Sequence, residues 1–304
     1  IAVEHEPIAL LEHVNLNAGL EWEDESRIAT WFFHVLGAVR DPRADAISEK
    51  RKKGGAKFRR LVWANLGWQQ LHLPTGHPEM PTQKLRGVLV LGYCGEEAEK
   101  MVHRAKEADF EVREGSGEGV EVVGPMGNVY RVVRVEEDVY FGPISPAPRD
   151  ALPPLPGGRS VGLGIVGMEH RCPKGTAVEI GEWYRTVFGC KTVECGEESR
   201  EVVVKVGFQQ FLKFVEVEDG EEVGEYDGHH IAIYTNNFAQ AYRNAAALHL
   251  IYNNPRFPDL TYDSIEDALR HNEFRTLHIT SPTPPHRHLL TLEHEIRSLA
   301  HKGF

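Results

Sequence analysis

The chain of 304 residues contains no apolar stretch approaching the 18 residues of a membrane-crossing helix, so a hydrophobic helical anchor is not expected. Cysteine is scarce. The four thiols, Cys94, Cys172, Cys190 and Cys195, show no CxxC spacing, which gives little basis for a disulfide framework and makes a reducing compartment the default. Positive charge is also in deficit: 34 Lys and Arg face 45 Asp and Glu, for a formal charge of -11. That balance argues against general binding to nucleic acid or to an anionic membrane, both of which need a basic surface. The opening "IAVEHEPIALLEHV" lacks the charged start and long apolar centre of a signal peptide. The first residue is Ile rather than Met, which is compatible with a targeting peptide removed earlier. The expectation is a soluble, intracellular, cytoplasmic protein.

What the chain does have is histidine, with 16 copies, and internal repetition. "LLEHVNLNAG", a helix ending "WFFHVLG", and "RRLVWANLGWQQLHL" are followed half a chain later by "VGMEHRCPKG", a helix ending "WYRTVFG", and "EVVVKVGFQQFLKF". Glu12 and His13 match Glu169 and His170, Trp31 and Gly37 match Trp183 and Gly189, and Gly67 to Gln70 match Gly207 to Gln210. Each unit reads as strand, helix and three strands, the glycine stopping the helix and alternating β-branched residues following it. Two more units fit the plan, one beginning "KLRGVLVLGYC" and one beginning "GHHIAIYT".

The predicted class is α+β, with four βαβββ modules paired into two open-barrel domains. Residues 142–158, "GPISPAPRDALPPLPGG", hold six prolines and predict an extended connector. This divides an N-terminal domain, 1–141, from a C-terminal domain, 159–304. Two insertions interrupt the modules. One carries seven basic residues within 50–60, "KRKKGGAKFRR", and reads as a solvated loop or as a contact for an anionic partner.

In "GHHIAIYTNN", strand alternation places His230, Ala232 and Tyr234 on one face and His229, Ile231 and Ile233 on the other. The helix after this strand covers the isoleucines, so His230 is aimed the other way and His229 is expected to be exposed. In "LLTLEHEI", Leu290 and Leu292 alternate with Thr291, Glu293 and Glu295.

Paired βαβββ units with a histidine on the first strand and a carboxylate on the last resemble the vicinal oxygen chelate superfamily of glyoxalase I, extradiol dioxygenases and 4-hydroxyphenylpyruvate dioxygenase. "HHIAIYTNNF" is similar to a strand that carries an iron-binding histidine in the last of these, and "EHRCPKGTAVEIGEWYRTVFG" to the module before it. The resemblance implies metal ligands His170, His230 and a carboxylate of "TLEHEI". Glu293 is preferred there because it lies nearer the strand centre, with Glu295 on the same face as the alternative. Two imidazoles and one carboxylate leave open positions suited to Fe(II), and also admit Mn(II), Ni(II) or Zn(II). For the acid-base role the resemblance implies, Tyr234, Tyr252, His271 and His278 are open candidates. Arg171 and Pro173 after His170 predict an early strand end, with His170 at a rim.

His13, Gln70 and His72 form a second candidate pocket, expected to be polar and metal-free by analogy with two-domain dioxygenases that keep iron in one domain. Gln209 and Gln210 are candidate pocket-lining, substrate-binding residues. Three functional readings stand: a metal-dependent dioxygenase acting on a small phenolic or 2-oxo acid, a noncatalytic small-molecule or protein-binding member of the fold, and a glyoxalase-like lyase or isomerase. The partner is a small molecule in each enzymatic case, and a homo-oligomer is compatible with all three.

Overall fold

The computed structural model describes residues 6–19, 25–53, 60–75, 81–115, 119–136, 138–141, 156–194 and 200–303. Most of the proline-rich stretch, residues 142–155, and residues 54–59 of the basic stretch lie outside the described residues, as does Cys195.

The first repeat consists of β1 (Ile8–Asn15), a short α1 (Glu25–Ala29) running into a π-helical turn (Thr30–Val35), β2 (Val39–Arg40), β3 (Trp63–Leu66) and β4 (Gln69–His72). An inserted helix, α2 (Pro42–Lys53), precedes β3. Lys50 to Lys53 of the basic stretch therefore continue a helix, where a loop was the sequence expectation. The second repeat is β5 (Gly87–Cys94), α3 (Glu97–Glu107), β6 (Val112–Glu114), β7 (Val120–Val123) and β8 (Val129–Val135). The third is β9 (Gly164–Cys172), α4 (Ala177–Phe188), β10 (Thr192–Glu194), β11 (Glu201–Val206) and β12 (Gln210–Glu216). The fourth is β13 (His230–Thr235), α5 (Phe238–Ala247), α6 (Ile265–His271), β14 (Glu273–Thr280) and β15 (His288–Ser298). Its second strand, the one directly after α5, is reduced to a single bridge between Ile251 and Thr276.

Among the described residues these strands form two mixed sheets, ordered β14-β15-β13-β1-β4-β3-β2 and β10-β11-β12-β9-β5-β8-β7-β6. In the first, second and fourth repeats the first strand pairs in parallel with the last. This is the βαβββ plan read from the sequence. The chain divides into two compact units, one built mainly from 169–304 with the residues up to Glu12, the other mainly from His13–Phe141 with residues up to Met168. The divisions fall inside β1 and β9 as well as near the proline-rich stretch.

The third repeat shows why these residues make these elements. Ile180, Trp183, Tyr184, Val187 and Phe188 recur at helical spacing and all are buried on α4. The Glu216 carboxylate of β12 accepts from the Ala177 N–H at 3.0 Å, satisfying a donor at the helix start. Gly189, at φ 78°, ends the helix in the left-handed region. His170 is 1 % exposed on a strand that continues to Cys172, so it is buried and not at a rim. Among the described residues no helix is long and apolar enough to cross a membrane.

Candidate functional site

In the unit containing the fourth repeat, β13 lies beside β15 in parallel, with His230 opposite Glu293 and Ala232 opposite Glu295. Both glutamates and His230 are buried. The Nε2 atom of His230 lies 3.4 Å from Glu295 Oε2. Burial pushes the His230 imidazole below its usual range, and a hydrogen bond to Glu295 only partly opposes this, so the ring is neutral near pH 7.

The carboxylates are held by guanidinium groups. Arg275, on β14, donates from Nε to Glu273 at 3.0 Å, from Nη1 to Glu293 at 2.8 Å, and from Nη2 to Glu295. Burial works against its charge, but Glu295, Glu273 and Glu293 more than offset this and keep it a cation. Arg297 pairs with Glu295 and, at 3.1 Å, with Glu12. Glu293 also accepts from Asn254 at 2.8 Å and from Arg256 at 3.3 Å. Burial by itself would push its pKa up, yet His230, Arg275 and Asn254 together hold it below the usual carboxylate range.

The other unit holds a second histidine cluster. His13 of β1 stands opposite Gln70 of β4, with His72 two residues further along. The rings of His13 and His72 stack at 3.8 Å, and His72 stacks in turn on Trp63 at 4.6 Å. Gln70 donates to the buried Asp41 at 3.0 Å and to Asn65 at 2.6 Å. Its amide oxygen is thereby left to accept from His72 Nε2 at 2.9 Å, which fixes His72 with its proton on Nε2. Burial opposes the charge of Asp41, but Arg43 and Asn65 hold its carboxyl low.

No family profile matches the chain, and no curated protein matches it in sequence. Solved structures do match. A glyoxalase I variant from Zea mays superposes with a TM-score of 0.56 at 9 % identity, covering 95 % of this chain and 93 % of that one. A second maize glyoxalase I variant gives 0.52 at 11 % identity, with 95 % and 92 % covered. A Bacillus subtilis protein carried under a provisional dioxygenase name gives 0.55 at 13 % identity, with 96 % and 86 % covered. The chain has the fold of these glyoxalase I structures.

Within that fold, the two clusters occupy equivalent places in the first and fourth repeats. His13, Gln70 and His72 correspond to His230, Glu293 and Glu295 by the register of β1 with β4 and of β13 with β15. The ligand atoms of His230 and Glu295 lie within 4.8 Å of one another, as do those of His13 and His72. The neutral imidazole and buried carboxylate of His230 and Glu295 have the donor chemistry a divalent ion takes.

Among the described residues, the ligand atoms of His170, His230 and Glu293 do not all come within 4.8 Å of one another. β9, which carries His170, belongs to one sheet and β13 to the other. His170 instead lies near His229, with ring centroids 5.9 Å apart, and its Nδ1 donates to the Arg171 carbonyl at 2.9 Å. His229 is fully buried, not exposed, and its Nδ1 donates to Asp227 at 2.6 Å. Alternation separates the two histidines onto opposite faces, but all of β13 from His230 to Thr235 is buried, on both faces, and so is His229 just before it.

The acid-base candidates are scattered. Tyr234 is buried, its hydroxyl accepting from Arg297 at 3.3 Å. His271 ends α6 and meets Tyr262 edge-on at 6.1 Å, while His278 is exposed beside Thr291 and His288. Gln209 is exposed in the turn before β12, at φ 57°. Gln210 clips the neighbouring strand, its amide bonding the N–H of Leu11 at 3.1 Å and its carbonyl at 3.2 Å. Arg275, Arg297 and Arg256 escaped the sequence reading, although a buried glutamate pair on one strand face already demanded buried cations.

Proposed function

We propose that the chain is a metal-dependent enzyme of the vicinal oxygen chelate type, with Fe(II) as the favoured ion and a dioxygenase-like reaction on a small phenolic or 2-oxo acid substrate. His230 and Glu295 are the ligands from the fourth repeat; His13 and His72 are the equivalent candidates from the first. The observation that carries this reading is the matched register: each parallel pair sets a buried histidine opposite one polar residue and places a further ligand-type residue two positions on.

A divalent ion supplies polarisation of neighbouring substrate oxygens when bound. The protein's own residues have separate tasks. His230 offers a neutral nitrogen because burial disfavours its charged form. Arg275 and Arg297 fix the Glu295 carboxylate, while Arg275, Asn254 and Arg256 fix that of Glu293, so neither group must be ordered on binding. Burial of the set keeps bulk water from the ligand atoms and strengthens each charge interaction within it.

Anaerobic loading with Fe(II), removal of excess ion and metal analysis test the proposal. Wild type retains a stoichiometric ion, and His230→Ala and Glu295→Gln lose it. The same measurement on His13→Ala and His72→Ala shows whether the first-repeat positions take part. Wild type that retains no metal overturns the reading. Mn(II), Ni(II) and Zn(II) are compared in parallel, since the donor types admit all of them.

The noncatalytic binding reading has one observation in its favour. Both oxygens of Glu295 already meet guanidinium groups, an arrangement that satisfies the carboxylate without an ion. Ligand binding unaffected by chelators and without turnover would establish it.

A further inference from the structure

The three guanidinium groups around Glu293 and Glu295 are not equivalent. Arg275 is 4 % exposed and spends Nε, Nη1 and Nη2 on three different carboxylates. Arg297 is 13 % exposed and is committed to Glu295 and Glu12. Arg256 is 27 % exposed, and its contacts are long: Nη2 to Glu293 at 3.3 Å and Nε to Asn254 at 3.4 Å. Its Nη1 has no partner among the described residues. This group therefore keeps an edge of the guanidinium fork open while sitting on the buried carboxylate network.

Its place is built. Asn254 is 3 % exposed and holds the loop, donating to Glu293 at 2.8 Å while its side-chain oxygen accepts from the Arg256 N–H at 2.9 Å. The Phe257 N–H donates back to the Asn254 carbonyl at 2.9 Å, and the Tyr262 N–H to the Asn253 side chain at 2.8 Å. Phe257 lies under Arg275, with the guanidinium carbon 5.1 Å from the ring centroid. Tyr252 donates its N–H to the Arg275 carbonyl at 2.8 Å, and the Tyr226 hydroxyl donates to the carbonyl of His229, next to His230, at 2.6 Å, which holds both tyrosines beside the strands that carry the cluster. A planar fork with a free edge takes a carboxylate through two parallel N–H donations, and the three rings offer apolar and π contact to an aromatic body.

We propose that Arg256 is the anion-recognition residue of this site and that the ligand it selects is a small aryl carboxylic acid, bound through its carboxylate. The proposal rests on reading this cluster as the substrate site and narrows the substrate class to anions.

Benzoate and its neutral analogue benzamide are the probes, titrated calorimetrically into the full chain after chelator treatment and again after Co(II) loading. Wild type binds benzoate more tightly than benzamide. Arg256→Met weakens benzoate about 10-fold or more, the loss of a charge-assisted pair, and leaves benzamide unchanged. Arg256→Lys, which keeps the charge without the fork, falls between, and circular dichroism verifies that both variants fold. Equal affinity of wild type for the two probes, or benzoate affinity indifferent to Arg256→Met and Arg256→Lys, overturns the proposal. Failure to take up Co(II) overturns the metal reading alone, because the dependence on Arg256 is read in the chelator-treated sample as well.

Discussion

Tyr184 donates its hydroxyl proton to Nε2 of His294 across 2.6 Å, tying the middle of α4 to the residue between Glu293 and Glu295. The His294 Nδ1 donates to the Leu292 carbonyl at 2.9 Å, so both ring nitrogens are satisfied in a site with no exposure. Tyr184→Phe leaves a buried acceptor without a donor and should cost about 1–3 kcal/mol. Urea denaturation checks this through a lowered midpoint at unchanged slope. Benzoate binding should persist, since Arg256 touches neither residue.

Arg275→Met removes the cation shared by Glu273, Glu293 and Glu295 and leaves buried carboxylates uncompensated. A loss of about 3–5 kcal/mol is expected, comparable to breaking a buried ion pair. Arg275→Lys, which supplies charge but not three diverging donors, should fall between wild type and Arg275→Met in the same urea experiment.

Acid should loosen the carboxyl-terminal residues. Burial, helped by Arg297 and Lys302 and opposed by Glu295 and Glu12, pushes the His301 imidazole down to about 4. Its Nδ1 accepts from the Gly303 N–H at 3.1 Å and lies 3.4 Å from the Tyr234 hydroxyl. The unfolded chain takes up this proton first as pH falls, so the contribution of His301 is whole above about pH 6.5 and is lost between there and about 4. Imidazole NMR should give the low midpoint, and His301→Gln should flatten the fall in stability over that window.

The repeated glutamines make different predictions. Gln210→Ala strips partners from the backbone of Leu11 and should cost about 2 kcal/mol. Gln209→Ala, in an exposed turn, should be close to neutral, and neither change should alter ligand affinity. Thermal melts of the two variants side by side check this.

The fold was legible because the first and third repeats write the same punctuation: the glycine after the aromatic helix, the alternating β-branched residues and the first-strand histidine all sit where the structure uses them. The site was harder to read, for a reason visible in β11 and β12. Gly67 and Trp68 make a two-residue turn between Leu66 and Gln69, whereas Gly207, Phe208 and Gln209 make a three-residue turn between Val206 and Gln210. Gln210 therefore takes the strand position of Gln69, and both clip a neighbouring backbone: Gln69 accepts from the Ile165 N–H at 3.0 Å as Gln210 does from that of Leu11. Matching the glutamine pairs letter by letter shifts that assignment by one and exchanges the faces of the strand.

A similar gap separates His170 from His230. Both stand at first strands of repeats, and repetition alone cannot say which repeats contribute to one sheet. Glu293 and Glu295 share a face as alternation requires, but the choice of Glu295 as the neighbour of the His230 ring depends on side-chain reach across parallel strands.

The three-way grip of Arg275 carries a consequence for any cation that enters beside it. A guanidinium already balances the glutamates there, so an incoming dication meets an occupied electrostatic seat and must either share the oxygens or dislodge the arginine. Loading should then be slow and sensitive to the length and shape of residue 275, and the empty protein should be durable on its own instead of collapsing when stripped of metal.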